Sequence, residues 1–246
     1  MLGHDRVGLG WRPELAAGIL ANLDRVDVVE VIADDYVDAG RRELRALRTL
    51  AIQVPLVLHG ISLGLASTTP VDGRRLDGLA RVVGAVEPEA WTEHLAFVPA
   101  LENVATLIDP PGSDRDEPAW LAHAVAATGG ELLLDLHNLH ANAVNFGFDA
   151  HAALARLPLS RVRFVHVAGG AWIGEDGGRR RVLDDHRHDV PAPVFELLAD
   201  LAARAPNPLT VIVERDGHYP PIERLLGELD RARTALAGGR AARVAA

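Results

Sequence analysis

Short runs of β-branched and aliphatic residues alternate along the chain with longer stretches whose apolar residues recur every three or four positions. The short runs predict strands at Val7–Leu9, Val28–Ile32, Leu56–His59, Trp91–Leu95, Ala100–Asn103, Leu132–Asp135, Val162–Val167 and Leu209–Glu214. The longer stretches predict helices. One opens at Pro13, where a missing N–H costs nothing. Arg41–Leu50 carries Leu44, Leu47 and Leu50 three apart, and Asp72–Val86 follows. Glu117–Thr128 is stopped by Gly129 and Gly130. Ala150–Leu157, Ala192–Ala205 and Pro221–Leu236 complete the set. Asn142–Asp149 reads as a Gly-containing loop, and Gly238–Ala246 as a disordered, frayed tail.

Strand–helix alternation implies parallel strands joined by right-handed crossovers. Eight strands in a chain of 246 residues is the size of one α/β domain, a single (β/α)₈ TIM barrel over residues 1–237 with a tail at 238–246. A doubly wound open sheet is the rival. The chain has no Gly-x-Gly-x-x-Gly after its first strand, which lowers the nucleotide-binding form of that rival.

Composition narrows the chemistry. Lys plus Arg is 25 and Asp plus Glu is 34, a net charge of −9, which disfavours a nucleic-acid partner. There is no Cys, so disulfides, thiolate metal sites, iron–sulfur clusters and Cys nucleophiles are excluded. The N-terminus lacks a targeting pattern, and no apolar run approaches the ~18 residues of a membrane span. A soluble cytoplasmic protein is the expectation. The unusual figure is eleven histidines.

Six predicted strands end in a ligand-type residue: His59 in PLVLHG, His94 in WTEHL, Glu102 in ALEN, Asp135 in LLLDLHN, His166 in RFVHVAG and Glu214 in TVIVER. Asp184 and His186 follow in VLDDHRH. Strand C-termini share one rim of a barrel, so residues far apart in sequence converge there. Carboxylates gathered with these imidazoles and without a compensating Lys or Arg repel one another, and metal is the usual remedy. Nitrogen and oxygen donors without sulfur suit Zn, Fe or Mn, and seven or eight of them imply two or three ions. Taken singly each has a plainer role: Glu214 could pair with Arg215, and Asp135 and Asp184 could cap turns. Asn138 could offer its carbonyl oxygen to a metal or cap a loop. His4, His123, His151 and His218 read as surface residues; His137, His140 and His188 are ambiguous. Arg12 and Glu30 fall at the rim, either to bind substrate, with Arg12 gripping a carboxylate, or to pair with each other.

In order, GLGWRPE, VVEVIADDY, PLVLHGISLGLAS, EHL, LENV, LLLDLHNLHANAVNFGFD, VHVAGG, LDDHRHDVP and VIVERD resemble the multinuclear non-haem iron-dependent oxidative enzymes. The resemblance runs from Val7 to about Leu226. It implies a barrel of the xylose-isomerase and endonuclease IV type. The activity it implies is O2-dependent oxidation of cysteine residues in a ribosomally made precursor peptide, a natural-product maturation step, commonly with a separate protein that binds the peptide leader. Carried over, His59, His94, Glu102, Asp135, Asn138, His166, Asp184, His186 and Glu214 fall on metal-ligand positions for iron, with His59, Asp135, His166 and Glu214 the catalytic core. One departure stands out. The family has a long loop and a helix between EHL and LEN, yet here His94 and Glu102 lie eight positions apart, whereas a parallel crossover normally needs a dozen residues. A distorted barrel, a very short strand or a displaced Glu102 would each answer it. The rival activities are a Zn- or Mn-dependent sugar isomerase or phosphoesterase on the same barrel, and a catalytically impaired scaffold protein.

Overall fold

The computed structural model describes residues 3–63, 70–93, 100–108, 115–174 and 180–245. Eight parallel strands close into a barrel. They are β1 (Arg6–Gly10), β2 (Val29–Ile32), β3 (Leu56–Gly60), β4 (Ala90–Glu93), β5 (Ala100–Glu102), β6 (Glu131–Asp135), β7 (Val162–Val167) and, after a small antiparallel hairpin of β8 (Ala171–Ile173) and β9 (Arg181–Leu183), β10 (Thr210–Val213). Each strand neighbours the next, and β10 pairs with β1 to close the ring. The helices are α1 (Ala16–Leu20), α2 (Arg41–Gln53), α3 (Gly73–Val86), α4 (Glu117–Thr128), α5 (Leu136–Phe146), α6 (Ala150–Ala155), α7 (Ala192–Arg204) and α8 (Ile222–Ala245). Asp72, Asp116 and Asp149 cap α3, α4 and α6, each accepting a first-turn backbone N–H.

Strand side chains alternate between two faces. Val29, Val31, Leu56, Leu58, Leu132, Leu134, Val165, Val167, Val211 and Val213 belong to the large core shared with the helices. Val28, Val57, Leu133, Phe164 and Ile212 form a separate cluster, the apolar filling of the barrel itself, with Ala90 against it. Two positions further along each strand, the same parity gives Glu30, His59, Thr92, Asp135, His166 and Glu214. The barrel thus holds an apolar plug below a layer of ligand-type side chains.

The shortened connection is accommodated by a stair in the sheet. Glu93, the last residue of β4, pairs with Leu101, and this single rung is the whole β4–β5 register. The strand β5 therefore starts level with the end of β4, so the chain need not travel back along the barrel before pairing again. Of the three answers to the short spacing, the very short strand is the one found: β5 has three residues.

Three expectations are corrected. The segment 238–245 is not a frayed tail but continues α8, because Arg240 hooks Asp5 (2.9 and 2.8 Å) and the carbonyls of Ala202, Ala205 and Asn207. Residues 142–146 are not loop but the second half of α5, which ends at Gly147 in the left-handed region (φ 79°). The turn at Pro13 precedes α1, which starts at Ala16.

Candidate metal centre

His166 stands at the middle of the ligand layer. Its Nε2 lies 3.1 Å from Glu30, and its Nδ1 lies 3.1 Å from both Glu102 and Glu214. The His59 ring meets it edge-on, centroids 5.1 Å apart, with His59 Nε2 3.3 Å from Glu102. His59 Nδ1 lies 2.8 Å from Thr92 Oγ1, whose hydroxyl donates to the Leu58 carbonyl. Thr92 therefore accepts from Nδ1–H, which leaves the Nε2 lone pair facing the cluster.

Nearer the mouth, His186 Nε2 lies 2.8 Å from Asp184 and 3.9 Å from Asp135, while its Nδ1 lies 3.4 Å from Glu214 and 3.3 Å from Asp216. His186 adopts φ 52°, a left-handed conformation that costs about 1–3 kcal/mol and turns the ring inward. His137 holds Asp184 from behind at 2.8 Å. Asp135 ends β6 and caps α5, its Oδ1 accepting from Asn138 N at 2.8 Å. Its backbone is clamped by Asn103, whose amide exchanges two hydrogen bonds with Asp135 N and O (2.8 and 2.9 Å) as a further strand residue would. Asn138 Nδ2 donates to the Asn103 carbonyl at 3.0 Å, which leaves its Oδ1 for the cavity.

The electrostatics are those of an excess of carboxylates. Burial pushes Asp135 well above the usual carboxylate range, and Asp184 and Glu102 add to it. Burial presses His166 down, but Glu214, Glu30 and Glu102 outweigh it and hold its imidazole well above the ordinary value. For His186 burial is likewise outweighed by Glu214, Asp184, Asp216 and Asp135, and its value is pushed up to about 12. Burial keeps His59 low, hence neutral and able to donate its lone pair. Protons on His166 and His186 thus stand where cations would neutralise the carboxylates.

The residues present fit metal ions. Glu30 Oε1, Asp135 Oδ2 and Asn138 Oδ1 are buried oxygens with no hydrogen-bond partner among the described residues. Four overlapping triads bring ligand atoms within 4.8 Å of one another: Glu30–His59–His166, Glu102–Asp135–His166, Asp135–His186–Glu214 and His137–Asp184–His186. They open on a cavity of about 550 Å³ lined also by Arg12, Ile61, Val104 and Ala105.

Of the nine residues expected as ligands, His59, Glu102, Asp135, Asn138, His166, Asp184, His186 and Glu214 gather at this mouth; His94 lies outside the described residues. Glu30 is not a rim residue for substrate: it is 1% exposed and faces His166. Arg12 lines the cavity but binds Asp216 through Nε at 3.0 Å and through Nη2, not Glu30. Arg215 pairs with Asp189 at 2.9 Å rather than with Glu214. His4, His123, His151 and His218 are exposed, whereas His137 joins the cluster. Sequence reasoning missed Thr92 and Asn103 as orienting groups. Thr92 had a signal in the inward parity that runs Ala90–Thr92; Asn103 had none.

A family model described as the RiPP precursor modification enzyme MbnB/TglH/ChrH matches residues 6–101 and 99–237, two stretches that meet at β5. A UPF0276 protein of Streptomyces avermitilis is 36% identical over 98% of the chain, which spans 57% of that relative's length. Another, of Bordetella bronchiseptica, is 32% identical, covering 95% of this chain and 93% of that one. Among solved structures, a D-psicose 3-epimerase crystallised in the presence of D-fructose superposes with TM-score 0.59 (12% identical, 97% of this chain and 99% of that one). Endonuclease IV from Thermus thermophilus does so with TM-score 0.56 (19% identical, 94% and 99%). These two likenesses carry the fold and nothing further. No helix among the described residues is long and apolar enough to cross a membrane. With a family model that spans nearly all of the barrel, the chain belongs to the MbnB/TglH/ChrH family of RiPP precursor modification enzymes.

Proposed function

We propose that the chain is an iron-dependent oxidative enzyme that holds two or three iron ions and uses O2 to oxidise cysteine residues of a ribosomally made precursor peptide. A separate leader-binding protein presents that peptide. The observation that carries the reading is the set of overlapping nitrogen and oxygen triads facing one cavity. Glu30, His59, Glu102 and His166 would hold the deeper ion; Asp135, Asn138, Asp184, His186 and Glu214 would hold metal nearer the mouth. The chemistry such ions supply is one-electron redox and Lewis acidity toward O2 and a thiolate sulfur.

The chain's own residues set the conditions for that chemistry. Thr92 fixes the His59 tautomer, and Asn103 fixes the strand end that carries Asp135. The carboxylates draw cations to a site that burial otherwise makes costly for charge. Arg12, anchored on Asp216, is the cation at the lip for a peptide carboxylate. A chain without Cys has no thiol of its own to compete with the substrate sulfur or to be oxidised in its place.

Anaerobic purification with ferrous iron, followed by metal analysis and Mössbauer spectroscopy, tests the reading. About two to three equivalents of iron are expected, with O2 consumed only when a Cys-containing peptide encoded beside the gene is added. Stoichiometric zinc or manganese without iron would put a hydrolytic or isomerising enzyme in its place. Failure to bind any metal would leave a scaffold.

A further inference from the structure

The β8–β9 hairpin leaves β7 just after His166 and returns to the mouth just before Asp184. Its register pairs Ala171 with Leu183, Trp172 with Val182 and Ile173 with Arg181. In an antiparallel pair, a residue's N–H and C=O point to the same side, and successive residues point to opposite sides. Val182 turns both groups away from β8. Its N–H donates to Asn145 Oδ1 at 2.8 Å, and its carbonyl accepts from Asn145 Nδ2 at 3.0 Å. Trp172, directly opposite, therefore turns its own N–H and C=O away from β9, and neither meets a partner among the described residues.

The two edges are treated differently. A bare strand edge is a template for pairing, and proteins ordinarily blunt it. Here a buried amide on α5 seals the β9 edge, while the β8 edge, with Trp172 52% exposed, stays open among the described residues. That open edge begins at the ligand cluster. A Cβ on Gly170, the residue before β8, would lie 2.7 Å from the His137 ring, and His137 holds Asp184. Leu183, which precedes Asp184, pairs with the first residue of β8. A strand added to β8 would run two strand spacings, about 10 Å, from β9, and one end of it would reach the lip that Asp184 and His186 form.

We propose that the outer edge of β8 is the docking strand for the substrate: an extended segment of the cysteine-bearing peptide pairs with the Trp172 backbone and is thereby led into the metal mouth. The proposal rests on the peptide-substrate reading above. Main-chain pairing would tolerate varied side chains while setting which residue reaches the cluster.

The test uses the iron-loaded chain, kept anaerobic, and fluorescein-labelled synthetic peptides covering the Cys-containing open reading frames that flank the gene. Trp172→Pro removes the outward N–H without touching the β8–β9 ladder, a position where an edge strand accepts proline; Trp172→Ala keeps that N–H. Binding about tenfold weaker to Trp172→Pro than to Trp172→Ala, with iron content and circular dichroism unchanged in both, is the expected result. Equal binding to both variants overturns edge docking and leaves the peptide-substrate reading standing. Failure of every peptide to bind the unsubstituted chain overturns both. Should Trp172→Pro lose iron or structure, backbone N-methylation scanned along the bound peptide decides on the unsubstituted chain. Losses at alternate residues support the added strand, and an absent or non-alternating pattern refutes it.

Discussion

At the N-terminal end of the barrel, Arg6 takes Glu89 in a bidentate pair at 2.9 Å and Arg163 takes Glu131 at 2.9 Å. At the C-terminal end, Glu30, Glu102, Asp135 and Glu214 face imidazoles, and Arg12, whose guanidinium lines the cavity, is taken by Asp216. Both ends flank the same apolar plug of Val28, Val57, Leu133, Phe164 and Ile212. The lower end is electrically complete as protein alone. At the upper end the carboxylates hold the His166 and His186 imidazoles above their ordinary values. Charge of one kind without its complement marks a place where something is to be bound.

The sharpest way to break this contrast is His166→Ala. It removes the imidazole at the centre of three carboxylates. At least one iron per chain and all measurable turnover are expected to vanish, with the far-UV circular dichroism unchanged; retained iron would show that the upper end does not depend on its central base. Arg6→Ala attacks the other end. It strands Glu89 beside a buried strand start and is expected to cost roughly 2–3 kcal/mol in chemical denaturation while iron content stays the same. Loss of iron in that variant would mean that the two ends are coupled. A smaller effect sits between the extremes at Glu117, which has an amide, Asn142, instead of an arginine. Burial pushes its carboxyl up from the ordinary 4.5 to about 7, against that hydrogen bond. The folded chain then binds this proton more tightly than the unfolded chain. Stability should fall as pH rises from about 4.5 to about 7 and level off above. Glu117→Gln should flatten that slope and add roughly 1–2 kcal/mol above pH 7, discounted for partial solvent access and read from denaturant midpoints across pH. An unchanged slope would assign the pH dependence elsewhere.

Much of the barrel was legible because its strands are short β-branched runs punctuated by a polar residue, as in Val162–Val167 and Leu56–Gly60. The inward polar residues were legible for the same reason, since each marks where a strand leaves the plug. The helix α5 was not. Its asparagines at 138, 142 and 145 are poor helix formers and read as loop. In the folded chain their amides serve other backbones: Asn142 that of Val104 and Thr106, and Asn145 that of Val182. Those partners are remote in sequence, so no local pattern announces them. Glu30 was expected at the rim although it falls inside the predicted strand Val28–Ile32. Counting two positions on from Val28 puts it inside.

The stair at Glu93 and Leu101 has an evolutionary corollary. A ring that closes through one rung at this seam is indifferent to what joins the two strands, since neither register is set by the joining chain. Material can be deleted or spliced in there without re-threading the other seven seams. Alignments with the relatives extend to 271 and 286 positions, longer than the chain itself, and the family match breaks at residues 99–101. A wall joined there can change length while the layer of inward carboxylates and imidazoles keeps its shape.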